Sequence, residues 1–348
     1  MAQKERKPVY YSEYLQLDKI LNAQEPESVK EGIRADDEML FIIIHQTYEL
    51  WFKEILHELG VIRETFMQSS IEDNTAQLYN CVHRLKRVSG ILQVAVYQMG
   101  VLETMTPLDF LDFRDLLRPA SGFQSIQFKL IEATLGLHYE QRHGKAYYLS
   151  QLTPADVERV KTAEKEKSLL VLINQWLERM PYLSNKSYWN IEGKDSFWQL
   201  YRTAYASGLA EGEHQNLGVF DSLFIDESAF AGGTRAFSAE AARNALFVML
   251  YRDHPILQMP YELLSILLEI DEGLSMWRHR HIHLVQRTIG KRVGTGGSTG
   301  AEYLRGAADS HIIFKELSEL TSFLLPRHQL PELPDQLVND LRYQNARK

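Results

Sequence analysis

Three histidines crowd one stretch of this chain, Trp277-Arg-His279-Arg-His281-Ile-His283, shortly before the run Gly294-Thr295-Gly-Gly-Ser-Thr-Gly300. Their spacing separates them. Ile270, Leu274, Trp277, His281, Leu284, Val285 and Thr288 recur at steps of three and four, so a helix carries all of them on one face. His279 and His283 fall roughly opposite. One imidazole is therefore aimed at the interior, where a neutral ring needs a partner, and haem iron is one partner that suits it.

His45 has a similar address. It follows Phe41 by four residues and precedes Tyr48 by three, inside the apolar stripe of another long helical segment. Such a histidine is either a core residue bonded to a neighbour or the polar group of an apolar ligand pocket. In the second role it holds a substrate N–H or moves a proton near neutral pH. Arg114 closes Leu108-Asp109-Phe110-Leu-Asp-Phe-Arg114. It pairs with Asp109 or Asp115, or it offers its fork to a ligand carboxylate, which guanidinium geometry suits. Ser121-Gly122-Phe123, after Pro119, breaks the helix and presents small polar groups to a pocket wall.

Two other patterns carry less. The glycine-rich run has no Lys-Ser/Thr pair after its last glycine and no strand signal before it, which excludes a phosphate loop. It reads as a helix connector or as a mobile loop that folds over bound ligand. A zinc-protease reading of the histidine triplet needs a glutamate where Arg280 stands.

Helices must position these groups. Apolar stripes run from Asp36 to about Phe66 and again over 74–102. Thr106-Pro107-Leu-Asp109 and Thr153-Pro154-Ala-Asp156 are helix starts with proline at the first helical position. Between about 181 and 236, glycine, proline and asparagine interrupt the phasing, and shorter helices and loops are expected as an elaboration of one core. Helices are then expected at about 238–252, 260–290 and 301–323. No regular strand spacing, βαβ rhythm or internal repeat is visible. The expectation is an all-α single domain over 1–348.

Composition agrees with a globular chain: 45% hydrophobic and 24% charged residues can build and solvate a large core. The formal charge of −8 and the lack of a sustained basic stripe argue against nucleic acid or anionic membrane as partners. The lone cysteine, Cys81, lies in a half-apolar helical stretch, which excludes an internal disulfide framework and a cysteine-based metal site. Without a secretory signal or an apolar run of about 20 residues, a cytoplasmic location is expected.

Four blocks together resemble the tryptophan 2,3-dioxygenase family. They are Tyr11-Ser-Glu-Tyr14 through Gln24; Asp37 through Phe41, His45 and Trp51 to Lys53; Met105 through Phe110 and Arg114, with Pro119 to Ser125; and Trp277 to Gly300. They stand in family order and span nearly the whole chain, with a loose match around 184–236. The resemblance implies an all-helical homotetramer, a dimer of dimers, with one haem b per subunit. It makes His281 the proximal iron ligand, with Trp277 in the cofactor pocket and Ser121 and Gly122 bordering the haem edge. His45 would sit near the indole N–H of L-tryptophan, with Phe41 and Phe110 as walls. Arg114 would take the carboxylate and Thr295 the ammonium. Tyr11 and Tyr14 would act in a neighbouring subunit's site. The implied reaction inserts both atoms of O2 across the indole C2–C3 bond to give N-formylkynurenine, as in tryptophan catabolism by the kynurenine pathway. Two departures stand out: Thr299 where serine is common, and Ile44 where relatives often carry a polar residue.

The rival readings differ in chemistry. A haem-dependent monooxygenase of the same superfamily would act on a substituted indole or phenol. A haem sensor or carrier would keep His281 but has no reason to keep an amino-acid clamp. An all-α interaction protein would bind no cofactor.

Overall fold

The computed structural model of the 348-residue chain describes residues 8–68, 71, 75–143, 149–189, 196–290, 292 and 301–342, apart from the side chains of 301–303 and 309. Among the described residues every regular element is a helix, as the periodicity predicts. None is long and apolar enough to cross a membrane.

Three long helices make the frame. Glu38–Met67, the His45 helix, packs along Ala76–Leu102, and that helix packs in turn along Pro255–Ile289, the His281 helix. Ile55, Leu59 and Ile62 meet Leu78, Leu85 and Val88 in a core that excludes solvent. Each such side chain contributes roughly 1.5–3 kcal/mol on burial. Thr75 starts the second helix by accepting the Leu78 N–H at 3.3 Å. Tyr48 donates to the Ala95 carbonyl at 3.0 Å and Gln98 to that of Ile44 at 3.1 Å, which fixes the register between the first two. Gly273 permits the close crossing of the second and third: a Cβ there would stand 3.2 Å from Leu92 Cβ. Shorter helices, Ile126–Leu135 (the Glu132 helix), Leu169–Glu178 and Ala239–Leu250, close the bundle.

Several predicted features are present. Thr106 and Asp109 form both bonds of a capping box at Pro107–Arg114, the Arg114 helix. Thr153 caps Pro154–Lys165. Cys81 is a buried core thiol. Phe197–Gly208 and Gln215–Phe224 occupy the region expected to hold shorter helices.

Two boundaries differ from the sequence reading. The His281 helix begins at Pro255, not near 260, and carries Pro260 inside it. Pro260 gives up one backbone bond that the surrounding packing compensates. The helix expected over 301–323 is broken into Ala301–Ser310, Lys315–Glu319 and a 3-10 turn at Leu320–Phe323. The break has a tertiary cause. Buried Asp271 accepts the N–H groups of Ile313 and Phe314, taking donors that a continuous helix would use internally.

The N-terminal segment is rooted but uncovered. Glu38 accepts the N–H groups of Glu27 and Ser28, and Gln46, beside His45, donates to the Ala23 carbonyl at 3.0 Å. Beyond that root, Tyr11–Leu15 and Leu17–Leu21 bury no residue, and Tyr11 and Tyr14 are 75% and 76% exposed.

A candidate active-site cavity between the long helices

Helical spacing turns Phe41, His45, Tyr48, Glu49 and Phe52 toward one cavity of about 510 Å³. That volume falls within the roughly 300–1,000 Å³ of small-molecule sites. The Arg114 helix brings Phe110 and Arg114 to the same space, the turn after it brings Ser121 and Gly122, and the His281 helix brings Trp277 and His281. These widely separated sequence candidates therefore share one cavity. Tyr11 and Tyr14 do not line it, and Thr295 lies outside the described residues.

His281 stands as its periodicity predicts. Its ring lies on the cavity side, while His279 and His283 are exposed. Trp277 packs against it with ring centroids 5.1 Å apart, and Phe128 backs Trp277 at 4.7 Å. Burial, with a smaller push from His45, lowers its pKa to about 4, so the imidazole is neutral at pH 7. Its Nδ1 is buried and has no hydrogen-bond partner among the described residues. No cluster of three metal-binding side chains occurs among them.

His45 makes the neighbour bond that the sequence allowed and also lines the cavity. Its Nδ1 lies 2.7 Å from the Phe41 carbonyl oxygen, which only accepts, so Nδ1 carries the proton and Nε2 keeps its lone pair. Burial lowers its pKa, opposed by the Phe41 carbonyl and the Glu49 carboxylate. Phe41 packs against the His45 ring, tilted by 35° with centroids 4.1 Å apart, and meets Phe110 at 5.6 Å. Arg114 is 5% exposed, and its Nη1 stands 3.8 Å from the exposed Asp115 carboxylate. Asp109, the other expected partner, is engaged in capping.

One end of the cavity holds charged residues that the sequence reading passed over. Glu132, buried, accepts from Arg142 Nη1 and from Arg278 Nη2 at 2.7 Å, with His311 Nδ1 at 3.6 Å. Burial alone would raise the Glu132 pKa. Arg142, His311 and Arg278 overcome it and hold the carboxyl well below its usual range. Lys129, one turn away, is pushed down to about 8 by burial, with Glu132 opposing and Arg142 adding to the shift. A charged residue inside the apolar run Ile131-Glu132-Ala133 was the available signal. Its partners, distant in sequence, gave none.

The chain matches the family model described as tryptophan 2,3-dioxygenase over residues 1–324. It is 40% identical to a tryptophan 2,3-dioxygenase of Alteromonas mediterranea, over 97% of this chain and 98% of that one. It is 42% identical to the enzyme of that name from Dictyostelium discoideum, over 96% and 88%. The Xenopus laevis protein of that name is 40% identical over 93% and 84%. With agreement running the length of the chain and a cavity fed by each of the long matching blocks around His45, Arg114 and His281, the chain is an enzyme of the tryptophan 2,3-dioxygenase family.

Proposed function

We propose that this chain binds one haem b per subunit through His281 and inserts both atoms of O2 across the indole C2–C3 bond of L-tryptophan, giving N-formylkynurenine. The carrying observation is an imidazole, His281, with a buried and unpartnered Nδ1 among the described residues, that shares one cavity with Phe41, His45, Phe110 and Arg114. The residues fit the group. His281 keeps a lone pair for iron, because its proton is lost above about pH 4. Trp277 braces its ring, and Gly122 leaves room at the border, since a Cβ there would meet nothing within 4 Å. When bound, haem supplies the iron redox chemistry that lets ground-state O2 react with a closed-shell indole.

The protein's own work is recognition and placement. L-Tryptophan offers a flat apolar body, one N–H donor, a carboxylate and an ammonium. Phe41 and Phe110 wall the ring. His45 Nε2, left as acceptor by the Nδ1 bond to Phe41, takes the indole N–H. His45 positions the ring and does not remove the proton, because an indole N–H is a very weak acid. Arg114 takes the carboxylate, and Thr295 the ammonium. Fixing both charged groups and the ring selects one enantiomer. Both oxygen atoms enter the product, so no external reductant is consumed.

We assign a homotetramer, a dimer of dimers, and the exposed N-terminal segment supports contact between copies. Residues 8–21 expose Val9, Tyr10, Tyr11, Tyr14, Leu15, Ile20 and Leu21 and bury nothing on their own chain. A second copy is the cover we assign, with Tyr11 and Tyr14 reaching its site. The reaction is placed in the cytoplasm and in tryptophan catabolism.

The test is the visible spectrum of the reduced, haem-loaded protein with and without L-tryptophan, followed by mixing with O2. The expected result is a Soret band perturbed by substrate and N-formylkynurenine as product. An oxindole or hydroxylated product, or normal haem ligation in His281→Ala, would overturn the reading.

A further inference from the structure

Among the described residues two buried carboxylates, Glu58 and Glu132, each hold two arginines, and one of the two borders the cavity. Glu58 bridges Arg84 and Arg87 between the first two long helices, remote from the cavity lining. Glu132 bridges Arg142 and Arg278 at the cavity's charged end. Arg278 lies one helical turn before His281. It also donates from Nη1 to the His311 carbonyl at 2.9 Å, while His311 Nε2 accepts the His143 N–H at 3.0 Å. Four segments that wall the cavity thus converge on one carboxylate.

The consequence concerns His281. Histidines that ligate metals usually have the ring set by a bond from the second nitrogen to a carboxylate or carbonyl. Here Nδ1 has no such partner among the described residues. The ring's place is left to Trp277 packing and to where its helix lies, and the Arg278 contacts to Glu132 and His311 fix the helix at that turn. We infer that Glu132 is a positioning residue, which sets the stance of His281 through Arg278 at one remove. This rests on the haem-ligand reading of His281.

The test compares Glu132→Gln with Glu58→Gln, the same chemistry away from the cavity. Each variant is purified as the full chain, its helicity checked by circular dichroism. Hemin affinity is measured by equilibrium titration, and the iron–imidazole stretch of the ferrous protein by resonance Raman. Both substitutions strand two arginines, so both lower thermal stability. Only Glu132→Gln is expected to shift the stretch and to weaken hemin binding, by up to about 10-fold, the low end of the effect of groups bonded directly to a metal ligand, because Glu132 acts at one remove. If Glu132→Gln does not fold, Arg278→Lys carries the test, since it keeps the charge and loses the fork. An iron–imidazole stretch and affinity equal to wild type in the folded variant would overturn the inference. So would an equal shift in Glu58→Gln, which would mark a general loss of rigidity. If the wild-type protein itself takes up no hemin, the fault lies with the haem reading instead.

Discussion

Replacing Arg114 with alanine removes one charge from a wall that is otherwise aromatic. Arg114 is 5% exposed, and its 3.8 Å contact with the exposed Asp115 carboxylate is worth little. In the proposed complex Arg114 meets a ligand carboxylate at the cavity wall. A charge-assisted bond is worth about 1.5–3 kcal/mol net, and breaking one side of a desolvated pair costs about 2–5 kcal/mol. Taking about 3 kcal/mol, kcat/KM for L-tryptophan should fall roughly 150-fold. The assay uses a second substrate, tryptamine, which keeps the indole and amine and lacks the carboxylate. Wild-type enzyme should prefer L-tryptophan by about the same factor, and Arg114→Ala should bring the two substrates close to parity. Arg114→Lys, which keeps charge without the fork, should fall between. If Arg114→Ala slows tryptamine as much as L-tryptophan, the arginine acts through the fold and the carboxylate assignment fails.

Three further outcomes follow from the geometry. Burial, then His45, holds the His281 pKa at about 4 against 6.5 unperturbed, so between those values the unfolded chain binds a proton that the native chain does not. Cofactor-free protein should therefore lose stability as pH falls through that window, by about 3 kcal/mol from this group. His281→Ala should show a smaller difference between urea midpoints at pH 7 and pH 4.5, and an equal difference contradicts the assignment. At Gly306 a Cβ would stand 2.4 Å from the tip of the exposed His143 side chain, which can turn aside, so Gly306→Ala should stay within about 1 kcal/mol of wild type in thermal unfolding, the helix propensity of alanine offsetting the shift. A larger loss of melting temperature would mean that the His143 ring is held where it stands. Removing residues 1–21 should leave the helical spectrum of the subunit intact and weaken assembly in sedimentation analysis, because that arm buries nothing on its own chain. Undiminished assembly would remove the arm from the interface.

Periodicity made much of this structure legible. The stripes that placed His45 and His281 inward, and turned His279 and His283 outward, depend only on helical geometry and the cost of exposing apolar surface. Caps at Thr106 and Thr153 are equally local. What escaped is not local. Asp271 breaks the helix expected over 301–323 from across the bundle, and Glu132 draws partners from positions 142, 278 and 311. Leu108 is exposed because Phe110, Phe113 and Arg114 take the inner face of that short helix, a choice that eight residues do not announce. The charged end of the cavity showed only as Glu132 within its apolar run, because pairing between remote residues leaves no mark of which partner a charge will find.

That same long-range pairing bears on how the molecule is made. Glu132 and Arg142 leave the ribosome first, Arg278 much later, and His311 later still. A nascent chain halted before His311 has the other residues that line the pocket but an arginine lacking its carbonyl acceptor. Contacts of such wide sequence separation form late and slowly. Filling of the pocket therefore waits for the segment that carries His311, and truncations short of that histidine should accumulate as empty, protease-sensitive chains.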